Sequence, residues 1–300
     1  MSSPIGFIGL GLMGKPMALN LRKKGFDVIT HSRSRGPVVA LVAAGARAAD
    51  SPAGVALHAR VIITMLPDGP DVETVLAGEH GVFSAIQPGT IIVDSSTIAP
   101  ATARRLASET AARDAAYLDA PVSGGEIGAI DGTLTFMVGG DGAALAQVMP
   151  VLSAMGKPER IVHVGESGAG QICKACNQIV LGGTMAVVAE AIALARKNGV
   201  DPMKVRAALM GGFAQSRVLE VHGERMITAN YKPGFKGKLF KKDLGIAMSA
   251  LGEAGVPAVA SGVVSQLVNA QIASGRGEED YSAIADVIFE LAHLPRREGQ

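Results

Sequence analysis

Between a short apolar run, Ile5-Gly6-Phe7-Ile8, and an amphipathic stretch from Lys15 to Lys24, the chain reads Gly9-Leu10-Gly11-Leu12-Met13-Gly14. No other feature restricts the fold as much. The first glycine permits a tight turn, the second lets a pyrophosphate approach bare backbone, and the third lets a helix pack closely on its strand. The N–H groups at the helix start then face the phosphates. In a chain with 38 glycines the spelling G-x-G-x-x-G is weak by itself. Its setting between a strand and a helix, followed by the apolar run Asp27-Val28-Ile29-Thr30, is what points to a dinucleotide site. Gly9, Gly11, Leu12, Met13 and Gly14 are therefore candidate cofactor contacts.

The first half alternates β-rich runs with helical stretches. The expected strands are Ile5–Ile8, Val28–His31, Val61–Met65, Thr90–Asp94, Ala116–Asp119, Leu134–Val138 and Ile161–Val164. Continuous apolar runs of this kind suit strands covered on both faces, and helices between them suit a doubly wound sheet. From Gly168 onward the strand signal vanishes. Helical patterns cover 169–197, 202–211, 216–228, 240–254, 257–275 and 281–293. The expected architecture is α/β: an N-terminal Rossmann-type doubly wound sheet over 1–165, a long connecting helix, and an all-α domain over 166–300 for substrate and oligomerisation. A cleft is expected where the two meet. The polar tail Pro295–Gln300 reads as loose.

A formal net charge of +1 gives no reason to expect nucleic acid or a membrane surface as partner. Two cysteines are too few for a disulfide framework. With no basic segment and apolar stretch at the start, a cytoplasmic protein is expected. The apolar run Ile179–Ala195 is shorter than the roughly 20 residues of a membrane span and reads as a buried helix.

At the end of the second strand an acidic side chain would accept the ribose hydroxyls of NAD. The segment here is His31-Ser32-Arg33-Ser34-Arg35, without a carboxylate. Guanidinium and hydroxyl groups suit a 2′-phosphate, so NADP(H) is favoured over NAD(H), with Arg33 as the contact and Ser32 beside it. The alternative is a solvated loop. Met65-Leu66-Pro67 and Asp94-Ser95-Ser96-Thr97 end the next two strands, at the edge where ligands bind in open parallel sheets. Met65, Leu66 and Thr97 are candidate contacts along the cofactor.

Two further segments carry chemistry. Asp119-Ala120-Pro121-Val122-Ser123-Gly124-Gly125 follows a strand, and its hydroxyl and accessible N–H groups suit a carboxylate. In Gly168–Gln178, Lys174, Asn177 and Gln178 share one helix face at i, i+3 and i+4. Lys174 either snorkels to water or sits in the cleft as proton donor, where burial would lower an ammonium pKa. Cys173 and Cys176 fit neither a redox dithiol nor a zinc site and read as small packing residues. The few aromatics, among them Tyr117, Tyr231 and Phe235, read as packing. No metal site is expected.

Taken in order, Gly6–Gly14, Met65-Leu66-Pro67, Asp119–Gly125, Gly168–Asn177 and Lys242-Asp243-Leu244 resemble the β-hydroxyacid dehydrogenase family over essentially the whole chain. Asp119–Glu126, Ala129–Leu134 and Lys232-Pro-Gly-Phe235 are similar to its tartronate semialdehyde reductase branch. The resemblance implies hydride transfer between NADP(H) and a small 3-hydroxy or 3-oxo acid, tartronate semialdehyde becoming glycerate. It makes Lys174 the catalytic lysine, and Ser123, Gly124, Gly125, Asn177 and Phe235 substrate contacts. Thr97 and Lys242 fall beside the nicotinamide and the cofactor's phosphates or ribose. Ser32 stands where several NAD-preferring relatives carry an acid. Other family substrates remain open: 3-hydroxyisobutyrate, glyoxylate, succinic semialdehyde or a four-carbon sugar acid. The family likeness also implies a homodimer or homotetramer. A non-catalytic nicotinamide sensor is the alternative of a different class; Lys174, Asn177 and the Ser123 loop argue against it.

Overall fold

The computed structural model describes residues 3–296. The chain divides into two compact units, residues 1–174 and 175–300. The first unit is built on one sheet whose strands, in chain order, are β1 (Ile5–Ile8), β2 (Val28–His31), β3 (Arg47–Ala48), β4 (Val61–Thr64), β5 (Ile91–Asp94), β6 (Ala116–Asp119), β7 (Val122–Ser123), β8 (Leu134–Gly139) and β9 (Gly156–Gly165). Their spatial order is β3-β2-β1-β4-β5-β6-β8-β7, with β9 paired to β8. Every neighbouring pair from β3 to β6 is parallel, whereas β8 runs antiparallel to β6 and β7. This is a Rossmann-type order, and its direction of winding reverses between β1 and β4.

Alternation along each strand explains the apolar runs. Phe7, Ile63 and Val93 enter one core together with Met17, Leu21, Leu118 and Phe136. Their chain neighbours Ile8, Ile62 and Ile92 enter a second core with Ile29, Leu76 and Leu106. Successive side chains point to opposite faces, so a strand covered on both sides must be apolar throughout. The covering helices of this unit are α1 (Gly14–Lys23), α2 (Arg35–Ala43), α3 (Pro52–Ala56), α4 (Gly69–Ala77), α5 (Pro100–Ala111), α6 (Gly125–Asp131) and α7 (Gly142–Leu152). Buried Asn20 on α1 donates through Nδ2 to the carbonyl of Ala129 at 2.7 Å, fixing α1 against the end of α6.

Helix α8 (Ala169–Lys197) begins in the first unit and continues into the second. The second unit adds α9 (Pro202–Leu209), α10 (Arg217–Thr228), α11 (Gly237–Glu253), α12 (Val259–Ala273) and α13 (Ile284–Leu291). Its core gathers Met185, Ala189 and Ile192 of α8 with Leu219, Met226, Phe240, Leu244, Val264, Val268, Ile288 and Phe289. Spacings of three and four residues put the α8 members on one face. By length and composition α8 would pass for a membrane span, and half of its most apolar window is buried inside the structure.

Several sequence expectations shift. Strands β3 and β7 have two residues each, too short for a periodic signal. Strand β9 has ten residues, and its charged, exposed first half hid all but Ile161–Val164. The expected helix over 281–293 opens as a 3₁₀ turn, Tyr281–Ala283, before α13. Nor is the tail loose where it is described. Arg196 donates to the Pro295 carbonyl at 2.7 Å, and Arg296 pairs with buried Asp286 at 2.6 Å. Residues 297–300 lie outside the described residues.

Candidate active site

At the carboxyl end of β1 the chain turns through Gly9, whose φ is +96°. Its N–H donates to the His31 carbonyl at 3.1 Å. A Cβ at Gly9 would lie 2.3 Å from the Met65 carbonyl oxygen, and one at Gly14 would lie 1.9 Å from that of Gly9. Neither position admits a side chain. Gly11 is the reverse case: it is exposed and nothing lies within 4 Å of where its Cβ would be. Helix α1 starts with neither a side-chain cap nor an acidic residue in its first turn. A turn closed at both ends, open in the middle, and followed by an uncapped helix start fits a pyrophosphate. The Leu12 side chain is exposed, while Met13 packs against the sheet core.

The 31–35 segment lies beside this turn. The Ser32 hydroxyl accepts from the Leu10 N–H at 3.4 Å. Arg33 is 81% exposed and pairs with Asp71 of α4 at 3.2 Å. At the end of β4, Met65 donates to the Ile8 carbonyl at 3.0 Å, and Leu66 donates to the Ser96 hydroxyl at 2.9 Å. Behind them lies buried Asp94. It accepts from Thr64 Oγ1 at 2.7 Å, from the Ser96 N–H at 3.1 Å and from the Tyr117 hydroxyl at 2.9 Å. Burial pushes its carboxyl above the usual range, against those three hydrogen bonds. Thr97 follows directly, half-buried.

Lys174 lies on α8 and is 8% exposed. Its Nζ donates to the Val122 carbonyl at 2.9 Å. The amine therefore turns inward, against the loop that carries Ser123, and does not snorkel to water. Ser123 ends β7 opposite Thr135, and Gly124 and Gly125 follow, exposed, with φ of +135° and +63°. Beneath this loop, Asp119 at the end of β6 accepts from the Gly168 N–H at 2.7 Å and the Gln171 N–H at 3.0 Å. It thus caps α8 from a neighbouring strand. Burial outweighs those hydrogen bonds and raises its pKa to about 6.

In the second unit a chain of polar groups begins at Asn177, one turn beyond Lys174 on α8. Asn177 Nδ2 donates to Gln178 Oε1 at 2.7 Å, and Gln178 Nε2 donates to buried Asp243 at 2.7 Å. Lys242 pairs with the same carboxylate at 3.0 Å. Phe235 packs, partly buried, against the core of this unit. Its ring meets Tyr281 edge-on at 5.5 Å, and its N–H donates to buried Asp280 at 3.3 Å.

Comparison with known proteins decides the family. Residues 4–184 match the model described as the NAD-binding domain of 6-phosphogluconate dehydrogenase, and residues 168–288 match the NAD-binding model of NADP-dependent 3-hydroxyisobutyrate dehydrogenase. The chain is 43% identical to 2-hydroxy-3-oxopropionate reductase of Escherichia coli (strain K12), covering 96% of this chain and 98% of that one. The chain belongs to the β-hydroxyacid dehydrogenases. Two solved structures share the fold with a TM-score of 0.86. One is Mycobacterium tuberculosis 3-hydroxyisobutyrate dehydrogenase with L-serine, 34% identical over 96% of this chain and 99% of that one. The other is Psf3 with NADP+ and 2-OPP, 26% identical over 95% and 99%.

This β-hydroxyacid dehydrogenase thus has an N-terminal Rossmann-type dinucleotide domain and a helical C-terminal domain, and it is an oxidoreductase acting on hydroxyl groups. The relatives lend no support to a sensor. Within the first unit the structure gathers Gly9, Leu66, Thr97, Ser123 and Lys174 at the carboxyl ends of the strands. Among the described residues no cluster of three metal-ligating side chains occurs. Cys176 is exposed, so packing accounts for half-buried Cys173 and not for it. Asp119 and Gln171 were not among the expected site residues. Asp119 had a signal, a carboxylate closing an apolar strand, whereas Gln171 had only its place one turn before Lys174.

Proposed function

We propose that this dehydrogenase reduces a small 3-oxo acid with NADPH, tartronate semialdehyde to glycerate, with Lys174 as proton donor. The inward amine of Lys174, bonded to the carbonyl of Val122 next to Ser123, carries this reading. It supports a substrate held with its carboxylate at Ser123, Gly124 and Gly125 and its carbonyl near the ammonium group. A bound NADPH supplies the hydride to the aldehyde carbon. The chain's own work is geometry and charge. Lys174 meets the negative charge developing on the carbonyl oxygen and transfers its proton there, then regains one from solvent. The Val122 carbonyl fixes the direction of the ammonium, and the Ser123 loop fixes the carboxylate. Asn177 and Phe235 are assigned to the substrate, Lys242 and Thr97 to the cofactor.

Arg33, with no carboxylate of its own segment beside it, supports NADPH over NADH; Asp71 holds it until a 2′-phosphate competes. Val180, Val187 and Leu194, exposed along one side of α8, support a homodimer or homotetramer. Two free cysteines and a net charge of +1 support a cytoplasmic enzyme without nucleic-acid or membrane partners. On this reading residues 1–165 are chiefly the cofactor domain, with the Ser123 loop given to the substrate, and residues 166–300 are chiefly the substrate and oligomerisation domain, with Lys242 given to the cofactor.

The test is an initial-rate screen with NADPH and NADH against tartronate, succinic and methylmalonate semialdehydes and glyoxylate, with glycerate and 3-hydroxyisobutyrate in reverse. The reading expects the highest kcat/KM with NADPH and tartronate semialdehyde. Faster turnover of another acid, or with NADH, would replace that part of it.

A further inference from the structure

Gln171 is 1% exposed and sits one turn before Lys174 on the same face of α8. Its side-chain amide bonds the segment that follows β5 through both its nitrogen and its oxygen. Nε2 donates to the Ser96 carbonyl at 2.9 Å, and Oε1 accepts from the Ile98 N–H at 3.1 Å. Those are the peptide groups on either side of Thr97. A primary amide presents one donor face and one acceptor face without charge, which is what a neighbouring C=O and N–H require together. The backbone of Gln171 is fixed in turn, since its N–H donates to Asp119. The chain of bonds continues outward from Ser96, whose hydroxyl accepts from Leu66. Leu66, Thr97 and Lys174 thus belong to one hydrogen-bonded frame, and Gln171 is the member that ties the segment after β5 to the helix.

We propose that Gln171 is a positioning residue for hydride transfer: it holds Thr97 in register with Lys174, so that nicotinamide and proton donor meet the same carbonyl group. The proposal rests on the roles given above to Lys174 and Thr97. The titratable groups facing this frame are Asp119 at the start of α8, Asp94 behind Ser96, Tyr117 on Asp94, and Lys174 itself.

Two variants test it. Gln171→Met keeps the length of the side chain and removes both bonds. Turnover should fall roughly 10- to 100-fold, as for a small misplacement of reacting groups. NADPH affinity should change by less than about threefold, because the glycine turn is untouched. The deuterium isotope effect from 4-deuterated NADPH should rise, and the Ile98 amide should exchange faster. Gln171→Glu supplies the same donor and acceptor only while its carboxyl is protonated. Its turnover should recover toward wild type as pH falls and be lost as the carboxylate forms against the Ser96 carbonyl, a limb absent from wild type and Gln171→Met. Wild-type turnover and unchanged Ile98 exchange in Gln171→Met, or a wild-type pH profile in Gln171→Glu, would overturn the proposal. If the wild-type protein reduces none of the acids, the functional reading fails by itself. Ile98 exchange and the emission of bound NADPH in Gln171→Met then decide the role of Gln171: a change in both supports it, and no change overturns it.

Discussion

Lys174 and Arg33 are both cations assigned to ligand oxygens, and the structure treats them oppositely. Lys174 is 8% exposed, bonded to a carbonyl, on a helix start held by Asp119. Arg33 is 81% exposed and pairs with half-buried Asp71. The difference separates two tasks. Proton transfer needs a group already in place when charge develops, so its surroundings are buried and bonded throughout. Reading a 2′-phosphate needs only a charge within reach, and water screens what that charge contributes. Substitutions in the buried frame should therefore cost turnover or fold, whereas those in the exposed loop should alter only the choice of cofactor.

The largest effect should come from Lys174→Ala, which removes the proposed proton donor. Turnover should fall by roughly 10²–10⁴-fold, the usual scale for a lost general acid, with NADPH affinity nearly unchanged by calorimetry. Equal losses in affinity and turnover would place Lys174 among the cofactor contacts instead. Next is Gly14→Ala, whose Cβ would meet the Gly9 carbonyl oxygen at 1.9 Å. Forcing the turn apart should cost about 3 kcal/mol in thermal or denaturant unfolding, and NADPH binding with it.

Asp119→Asn sharpens the account of the buried frame. It turns one acceptor into a donor that faces a backbone N–H, which should cost about 1–3 kcal/mol. The pH dependence has a definite sign. With its pKa raised to about 6, the folded protein holds this proton more tightly than the unfolded chain. The stabilisation is complete below the ordinary value of 3.8 and is lost as pH rises through about 6. Over that window the wild-type protein should lose about 3 kcal/mol relative to the asparagine variant. The cost of the substitution is therefore greatest near pH 4. Denaturant unfolding at pH 4 and 7 measures it, and a cost that grows with pH would contradict the assigned shift. Asp94 titrates in both proteins and largely drops out of the difference.

Arg33→Ala should have the smallest effect. NADPH binding should weaken by about tenfold, or ~1.4 kcal/mol, with NADH affinity nearly constant. Equal losses for both cofactors would mean that the loop does not discriminate.

What could be read in the sequence follows the same division. Residues 5–14 were legible because the turn demands missing side chains, and glycine is visible in any sequence. The two-sided strands were legible because alternation into two cores makes them apolar throughout. Helix α8 was legible over its full length from the unbroken pattern between Ala169 and Lys197. The pairs that fix the site were not. Gln171 meets Ser96 and Ile98 across 75 and 73 positions, and Asp119 meets Gly168 across 49, distances over which composition and periodicity carry nothing. Strand β7 could not be seen either. Its two residues pair only because β8 folds back beside them, and that pairing aims the Val122 carbonyl at Lys174.

The most direct test of the central claim is rescue of Lys174→Ala by small alkylamines. If the missing ammonium is the proton donor, turnover with NADPH should recover as methylamine or ethylamine is added, saturate, and rise with the acidity of the amine. A variant that binds NADPH normally and stays unresponsive to every amine, or one that turns over at the wild-type rate without any, would contradict it.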